Sequence, residues 1–97
     1  MYKEMYPHDD LTNLSEELVF EQIHQLLQEG ELPPMSEVSV QDIAAIALNK
    51  MPPKYITSIL EKQNPSQSLR EEMDDLRRYA RRQVIKAAER VREHPHD

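Results

Sequence analysis

Apolar residues recur at helical spacing in three stretches of the chain. The first stretch begins after Asn13, which stands three residues before Glu16 as in a capping box, and it stops at Gly30. Gly30 is the only glycine, and a glycine just past the last apolar position is typical of a helix C-terminus. This pattern predicts a first helix, with its apolar face formed by Leu14, Leu18, Val19, Ile23, Leu26 and Leu27.

The second stretch lies between two pairs of consecutive prolines. Ser39 with Asp42 predicts the start of a helix, and Pro52 with Pro53 predicts its end at or near Asn49, because a residue before proline is displaced from the α region. Ile46 lies off the apolar stripe, which indicates burial on two sides. The stripe itself contains Val40, Ile43, Ala44, Ala47, Leu48 and Met51.

The third stretch predicts the longest helix. Ser68 with Glu71 forms a second capping-box pattern, and Pro95 places the end of the helix at about Arg92 or Glu93. A helix of about 24 residues is about 36 Å long, more than a small domain needs to cover its own core. The sequence therefore predicts a homodimer in which this helix also packs on a second copy. Its apolar positions are Leu69, Met73, Leu76, Ala80, Val84, Ala87 and Val91.

These patterns predict an all-α fold, a compact domain of three to five helices over residues 13–93 with a long C-terminal helix. Residues 1–12 show no period and are expected to form a flexible arm, and residues 94–97 a disordered tail. The sequence does not decide the secondary structure of residues 54–64. The β-branched residues after Tyr55 favour a strand, whereas Pro53 at a first helical position favours a new helix.

The composition favours a binding protein over an enzyme. The chain has 97 residues, no Cys and one Gly, which excludes thiolate chemistry and a glycine-rich phosphate loop. The four His residues show no metal-ligand spacing, so neither a metal nor a cofactor is predicted. The lack of Cys, of a signal-like stretch near the start and of any run of about 20 apolar residues favours a cytoplasmic protein without a membrane partner.

Charge is distributed unevenly along the chain. Residues 1–48 carry one Lys and ten acidic residues, whereas residues 49–97 carry eleven Lys and Arg and eight acidic residues. Cations are densest between residues 77 and 92. They either attract an anionic ligand or partner, or they balance the acidic half of the same or a second chain. Arg78, Arg81 and Arg82 are the candidates for phosphate or guanine contacts, since guanidinium stacks and donates several hydrogen bonds.

Residues 49–58 bring amide, cationic, aromatic and hydroxyl groups together directly after a forced helix end. An aromatic ring beside amide and cationic groups suits a nucleobase and its phosphate, which makes Asn49, Lys54, Tyr55 and Thr57 candidate ligand-binding residues. A purely structural interpretation is also open. In that interpretation Asn49 caps the helix and Tyr55 is a core ring.

Residues 42–58 resemble the signature of the ComFB family of late competence development proteins, in which a helix with an aspartate leads into the pattern Leu48-Asn49-x-x-Pro52-Pro53-x-Tyr55. The pattern Asn13-x-x-Glu16-x-x-Val19-x-x-x-Ile23-x-x-x-Leu27 is similar to the family's first helix. The resemblance implies a helical dimer and, as in cyanobacterial members, a receptor for cyclic di-GMP with cyclic di-AMP as a possible second ligand. Matched to the motif, the implied ligand residues are Asp42, Asn49, Pro53, Tyr55 and Thr57.

One departure from the family concerns zinc. Some relatives have cysteines just before the aspartate, where this chain has Pro34, Ser36 and Ser39. No zinc role is therefore expected. The predicted function is a cyclic dinucleotide receptor that signals through an unidentified protein partner. A ligand-free structural or adaptor protein is the alternative, and DNA binding is disfavoured by the net charge of −6.

Overall fold

The computed structural model describes residues 1–58 and 66–93, with the side chain of Ser66 excepted. The helical prediction is confirmed, because three α-helices dominate these ranges and the last is the longest. The term all-α is wrong in one respect, since two short segments pair as an antiparallel sheet. In chain order the elements are a 3-10 helix Tyr2–Met5, strand β1 Thr12–Asn13, helix α1 Leu14–Gln28, helix α2 Glu37–Leu48, strand β2 Tyr55–Ile56 and helix α3 Ser66–Glu93.

Both ends of helix α1 lie where the sequence predicts them. The side chain of Asn13 accepts a hydrogen bond from the Ser15 N–H at 3.1 Å, which caps the first turn. At the other end Gly30 has φ +78°, the Glu31 N–H donates to the Leu26 carbonyl and the Gly30 N–H donates to the Leu27 carbonyl. This is the pattern of a Schellman motif, which satisfies carbonyls that the helix leaves open.

Helix α2 begins earlier than predicted. Ser36, not Ser39, is the N-cap, and its side-chain oxygen accepts a hydrogen bond from the Ser39 N–H at 3.2 Å. Ser39 is instead buried in the first turn, where its small side chain packs inside the fold. The predicted end is confirmed, because α2 stops at Leu48 and Asn49 is its C-cap.

Helix α3 starts at Ser66, two residues before the predicted Ser68, and ends at Glu93 as predicted. The spacing of Ser68 and Glu71 does not locate the first turn of the helix, because the two residues before Ser68 also adopt the helical conformation. The helix packs against both α1 and α2. Its buried residues lie in its second half, and no described side chain between Gln67 and Tyr79 is buried. The core therefore lies where α1 and α2 meet the second half of α3, and it contains Leu18, Val19, Ile23, Leu26, Leu32, Ile43, Ala44, Ala47, Met51, Ala80, Val84, Ala87 and Val91.

The sheet joins two segments that are far apart in sequence. Thr12 pairs with Ile56 and Asn13 with Tyr55. The strand interpretation of Tyr55 and Ile56 is thus correct, while residues 59–64 lie outside the described residues. None of the helices in the described ranges combines the length and the apolarity needed to cross a bilayer.

Candidate ligand-binding site

The backbone of residues 52–58, here called the clamped turn, is held by the N-terminal end of α1. Asn13 Oδ1 accepts a second hydrogen bond, from the Lys54 N–H at 3.0 Å. The Leu14 N–H donates to the Lys54 carbonyl at 2.7 Å, and Ser15 Oγ donates to the Pro52 carbonyl at 2.5 Å. Ser15 is buried, so its hydroxyl satisfies a carbonyl that water reaches poorly. The path of residues 52–54 is therefore fixed through their main-chain groups.

The far end of the clamped turn is held by Asp10. Its carboxylate accepts one hydrogen bond from Ser58 Oγ at 2.6 Å and another from the Ser58 N–H at 2.9 Å. The hydrogen bond from the Ser58 hydroxyl, followed by that from its N–H, lowers the pKa of Asp10 below its usual value of 3.8. The arm before α1 thus contributes a contact that fixes the turn.

The side chain of Tyr55 is available to a ligand. It is 57% exposed, whereas its neighbour Ile56 is 8% exposed, as expected when successive strand side chains point to opposite faces. The interpretation of Tyr55 as a core ring is therefore wrong. Pro53 is also exposed and Thr57 is half-buried, with its own polar interaction. The turn presents a ring on a rigid backbone.

The polar candidates on α2 lie on one face of that helix. Asn49 is exposed and follows the half-buried Asp42 by seven residues, two helical turns later. Asn49 also closes α2, because its N–H donates to the Ala45 carbonyl at 3.1 Å. Its backbone thus has the capping role of the structural interpretation, and its amide side chain stays at the surface. Asp42 has a polar partner within the chain.

Lys54 links the clamped turn to α3. Its ammonium lies 3.0 Å from a carboxylate oxygen of Glu72, and both side chains are partly exposed. A surface ion pair of this kind stabilises a protein by at most about 1 kcal/mol, so an anionic ligand can compete with Glu72 for Lys54.

Cations of α3 between residues 77 and 82, here called the arginine segment, already have partners. Arg77 Nε lies 2.8 Å from Glu21, and Arg81 Nη2 lies 2.6 Å from Glu29 while Nη1 donates to Gln22. These contacts join α3 to the acidic first helix.

The other two arginine candidates contact their own helix. Arg78 pairs with Asp75 three residues earlier, and the guanidinium of Arg82 lies 5.5 Å from the centre of the Tyr79 ring. Both side chains remain at the surface. They are accessible to an anion, but a ligand would have to displace a carboxylate from Arg78.

The structure does not bring Arg81 to the clamped turn. Leu14, the first residue of α1, bonds to the turn, whereas Glu29, beyond the last residue of α1, bonds to Arg81. A helix of 15 residues separates the two contacts by about 22 Å. The nine sequence candidates therefore do not all lie together. Pro53, Lys54, Tyr55 and Thr57 lie in the clamped turn, Asn49 closes α2 and Asp42 lies two turns earlier in α2, whereas Arg78, Arg81 and Arg82 lie on α3.

Four residues that shape the site were not among the sequence candidates. Asn13 was recognised only as a helix cap, and its bond to Lys54 spans 41 positions. Local sequence patterns also do not reveal the contact of Ser15 with Pro52, that of Asp10 with Ser58 or that of Glu72 with Lys54. In each case the two residues belong to different segments of the fold. No cluster of three potential metal ligands occurs within residues 1–58 and 66–93.

Comparison with known proteins assigns the chain to a family. The family model described as late competence development protein ComFB matches residues 12–95. Among solved structures, the late competence protein ComFB from Bacillus subtilis is similar with a TM-score of 0.60 and 20% identity, over 90% of this chain and 93% of that one. Curated protein sequences gave no significant match. Since the family match spans both strands and all three described α-helices, the chain belongs to the ComFB family of late competence development proteins.

Proposed function

We propose that this ComFB-family chain is a receptor for a cyclic dinucleotide, cyclic di-GMP or cyclic di-AMP, and that the clamped turn with the end of α2 forms the binding site. The observation that carries the proposal is the exposed ring of Tyr55 on a backbone held by Asn13, Leu14 and Ser15. A ring that is fixed before binding loses little conformational freedom when a base stacks on it.

The groups around Tyr55 match the remaining chemistry of such a ligand. Asn49 offers an amide that both donates to and accepts from a base edge. Lys54 offers a cation to a phosphate, and the release of Glu72 from Lys54 upon binding couples the turn to α3. Pro53 adds an exposed apolar surface beside the ring.

The signal leaves the site through a change in packing, not through catalysis. A ligand that replaces Glu72 at Lys54 adds its binding free energy only to the arrangement in which α3 is released from the turn. A protein partner that contacts α3 then distinguishes the two arrangements. In this proposal the protein works in the cytosol and has no enzyme activity.

Isothermal titration calorimetry with cyclic di-GMP, cyclic di-AMP and duplex DNA tests the proposal. We expect one or both dinucleotides to bind and DNA not to bind. Tyr55→Ala should weaken dinucleotide binding by about 1 to 3 kcal/mol because the stacking surface is lost, whereas Tyr55→Phe should retain most of the affinity.

Phe20→Ala is the matched control, because Phe20 is another partly exposed ring, at 43%, on the surface of α1. It should bind as the wild type does. If neither dinucleotide binds, the receptor proposal is wrong and the ligand-free adaptor becomes the preferred function. If Tyr55→Ala binds normally and keeps its circular dichroism spectrum, the site is not at the clamped turn.

A further inference from the structure

An apolar groove lies at the opposite end of the fold from the clamped turn. It encloses about 320 Å³ between the segment after α1, the start of α2 and the last turns of α3. Its apolar walls include Leu32, Met35, Ile85, Ala88 and Val91. The volume is at the lower end of the roughly 300 to 1,000 Å³ typical of ligand pockets, which suits one or two large side chains. Ile85 is 41% exposed, so the groove presents apolar surface to water.

The N-terminal arm carries apolar surface without a cover. Its 3-10 helix has no buried residue, and the exposed fractions of Tyr2, Met5 and Tyr6 are 82%, 70% and 67%. Large apolar residues clustered at the surface mark an interaction site more often than the same residues scattered singly. Tyr and Met are also well suited to such a role, since a ring covers area at low entropic cost and a thioether adapts to an irregular wall.

The charges of the arm and the groove are complementary. Glu31, Glu89 and Arg92 line the groove, and within residues 1–58 and 66–93 none of the three forms an ion pair. The arm offers Lys3 and Glu4 side by side. Lys3 suits the two carboxylates. Glu4 lies 3.2 Å from the terminal ammonium of Met1, and in the groove it would exchange that exposed contact for Arg92.

The arm cannot place Tyr6 in the groove of its own chain. Asp10 is bonded to Ser58 beside the N-terminal end of α1, and the groove begins at Glu31, after the C-terminal end of α1. Tyr6 is four residues from Asp10, a reach of about 13 Å when fully extended, whereas α1 is about 22 Å long. A second copy offers a groove that all of these arm residues reach, whereas the groove of the same chain does not.

We propose that the arm of one chain, through Tyr2, Met5 and Tyr6, occupies the groove beside Ile85 in a second copy of this chain. A symmetric pair buries two arms in two grooves, because an isologous contact repeats each interaction. The proposal does not depend on cyclic dinucleotide binding, and it assigns residues 2–6 a role in assembly.

Disulfide trapping tests the proposal directly, because the chain has no natural Cys. Chains with Tyr2→Cys are mixed with chains with Ile85→Cys under mild oxidation, and the mixed disulfide is quantified by mass spectrometry. We expect it to form about 10-fold faster than in the matched mixture of Tyr2→Cys with Gln41→Cys, since a disulfide requires Cβ atoms within about 4.5 Å. Gln41 is an exposed residue of α2 that does not line the groove.

A second measurement uses substitutions at exposed positions that should leave the fold intact. The double variant Tyr2→Ser with Met5→Ser, and separately Ile85→Ser, should weaken self-association about 10-fold in sedimentation equilibrium while the helical circular dichroism spectrum stays that of the wild type. Equal trapping of the two mixtures, or unchanged association of both variants, would overturn the proposal. A chain that carries both Tyr2→Cys and Ile85→Cys and closes an internal disulfide as a monomer would overturn it as well. None of these results depends on dinucleotide binding.

Discussion

The clamped turn and the arginine segment offer similar chemistry but are held in opposite ways. In the turn, main-chain groups and the side chains of Asn13 and Ser15 carry the structure, and Tyr55 is left at the surface. In the arginine segment the guanidinium groups themselves carry contacts, above all Arg81 with Glu29. A cation that joins two helices is a poor candidate for a contact with the ligand. Its substitution would alter the stability of the fold as well as the affinity for the ligand. A cation beside an aromatic ring therefore does not have the same role in the two regions.

Loss of the clamp should have the largest effect. Asn13→Ala removes the cap of α1 and the acceptor for the Lys54 N–H, so we expect a loss of about 2 kcal/mol in the free energy of unfolding. Dinucleotide affinity should fall as well, because the backbone under Tyr55 loosens. Urea denaturation and calorimetry measure the two effects.

Asn13→Asp is the control for that variant, because a carboxylate keeps an acceptor oxygen at the same position and is also favoured at an N-cap. It should unfold with nearly the wild-type free energy. Equal stability of Asn13→Ala and the wild type would show that the turn is fixed by other contacts.

Removal of two arginines should have a smaller effect and separates the two regions. We expect the double variant Arg81→Gln with Arg82→Gln to lose about 0.5 to 1 kcal/mol of stability, because the pair of Arg81 and Glu29 is partly exposed. Dinucleotide binding and its dependence on ionic strength should be unchanged. The measurement pairs melting curves with titrations at several salt concentrations.

The opposite result would assign these arginines to the ligand. If they contact phosphate, the double variant binds more weakly and its affinity depends less on salt, because screening shortens the range of the interaction from about 10 Å at 0.1 M to about 3 Å at 1 M salt. Melting would then change little.

The smallest effect is expected at Asp10 and depends on pH. Its folded pKa is below 3.8, so its carboxylate stabilises the fold above that pH and the contribution is lost as the pH falls through the folded pKa. Asp10→Asn should slightly lower Tm at pH 7, and its difference from the wild type should shrink below pH 3.8. Thermal melts from pH 7 to pH 3 check this, and a constant difference across that range would contradict it.

Local patterns predicted the ends of helices where one residue type has a specific backbone role. Gly30 was correctly placed beyond α1 because only glycine adopts its positive φ without penalty. The starts of α2 and α3 were wrong. Ser36 and Ser39 both fit a capping pattern, and the burial of Ser39 leaves Ser36 as the cap of α2, whereas α3 begins at Ser66 because Ser66 and Gln67 also adopt the helical conformation.

The candidate site was predictable only in part. The motif pointed to Tyr55 and Asn49, and the structure leaves both side chains at the surface. The sequence did not reveal the β1–β2 pairing, because each strand has two residues and no alternation can be recognised over that length. The partners of Arg81 were equally hidden, since which of many acids it meets depends on how α1 packs on α3.

The pairing of β1 with β2 also has a kinetic consequence. Asn13 meets Tyr55 across 42 positions, so the contact closes only after the chain between them has been ordered. Helices α1 and α2 lie within that interval and form from local contacts. The clamped turn is thus expected to assemble late, with low φ-values, and substitutions that loosen it should accelerate unfolding while folding keeps its rate.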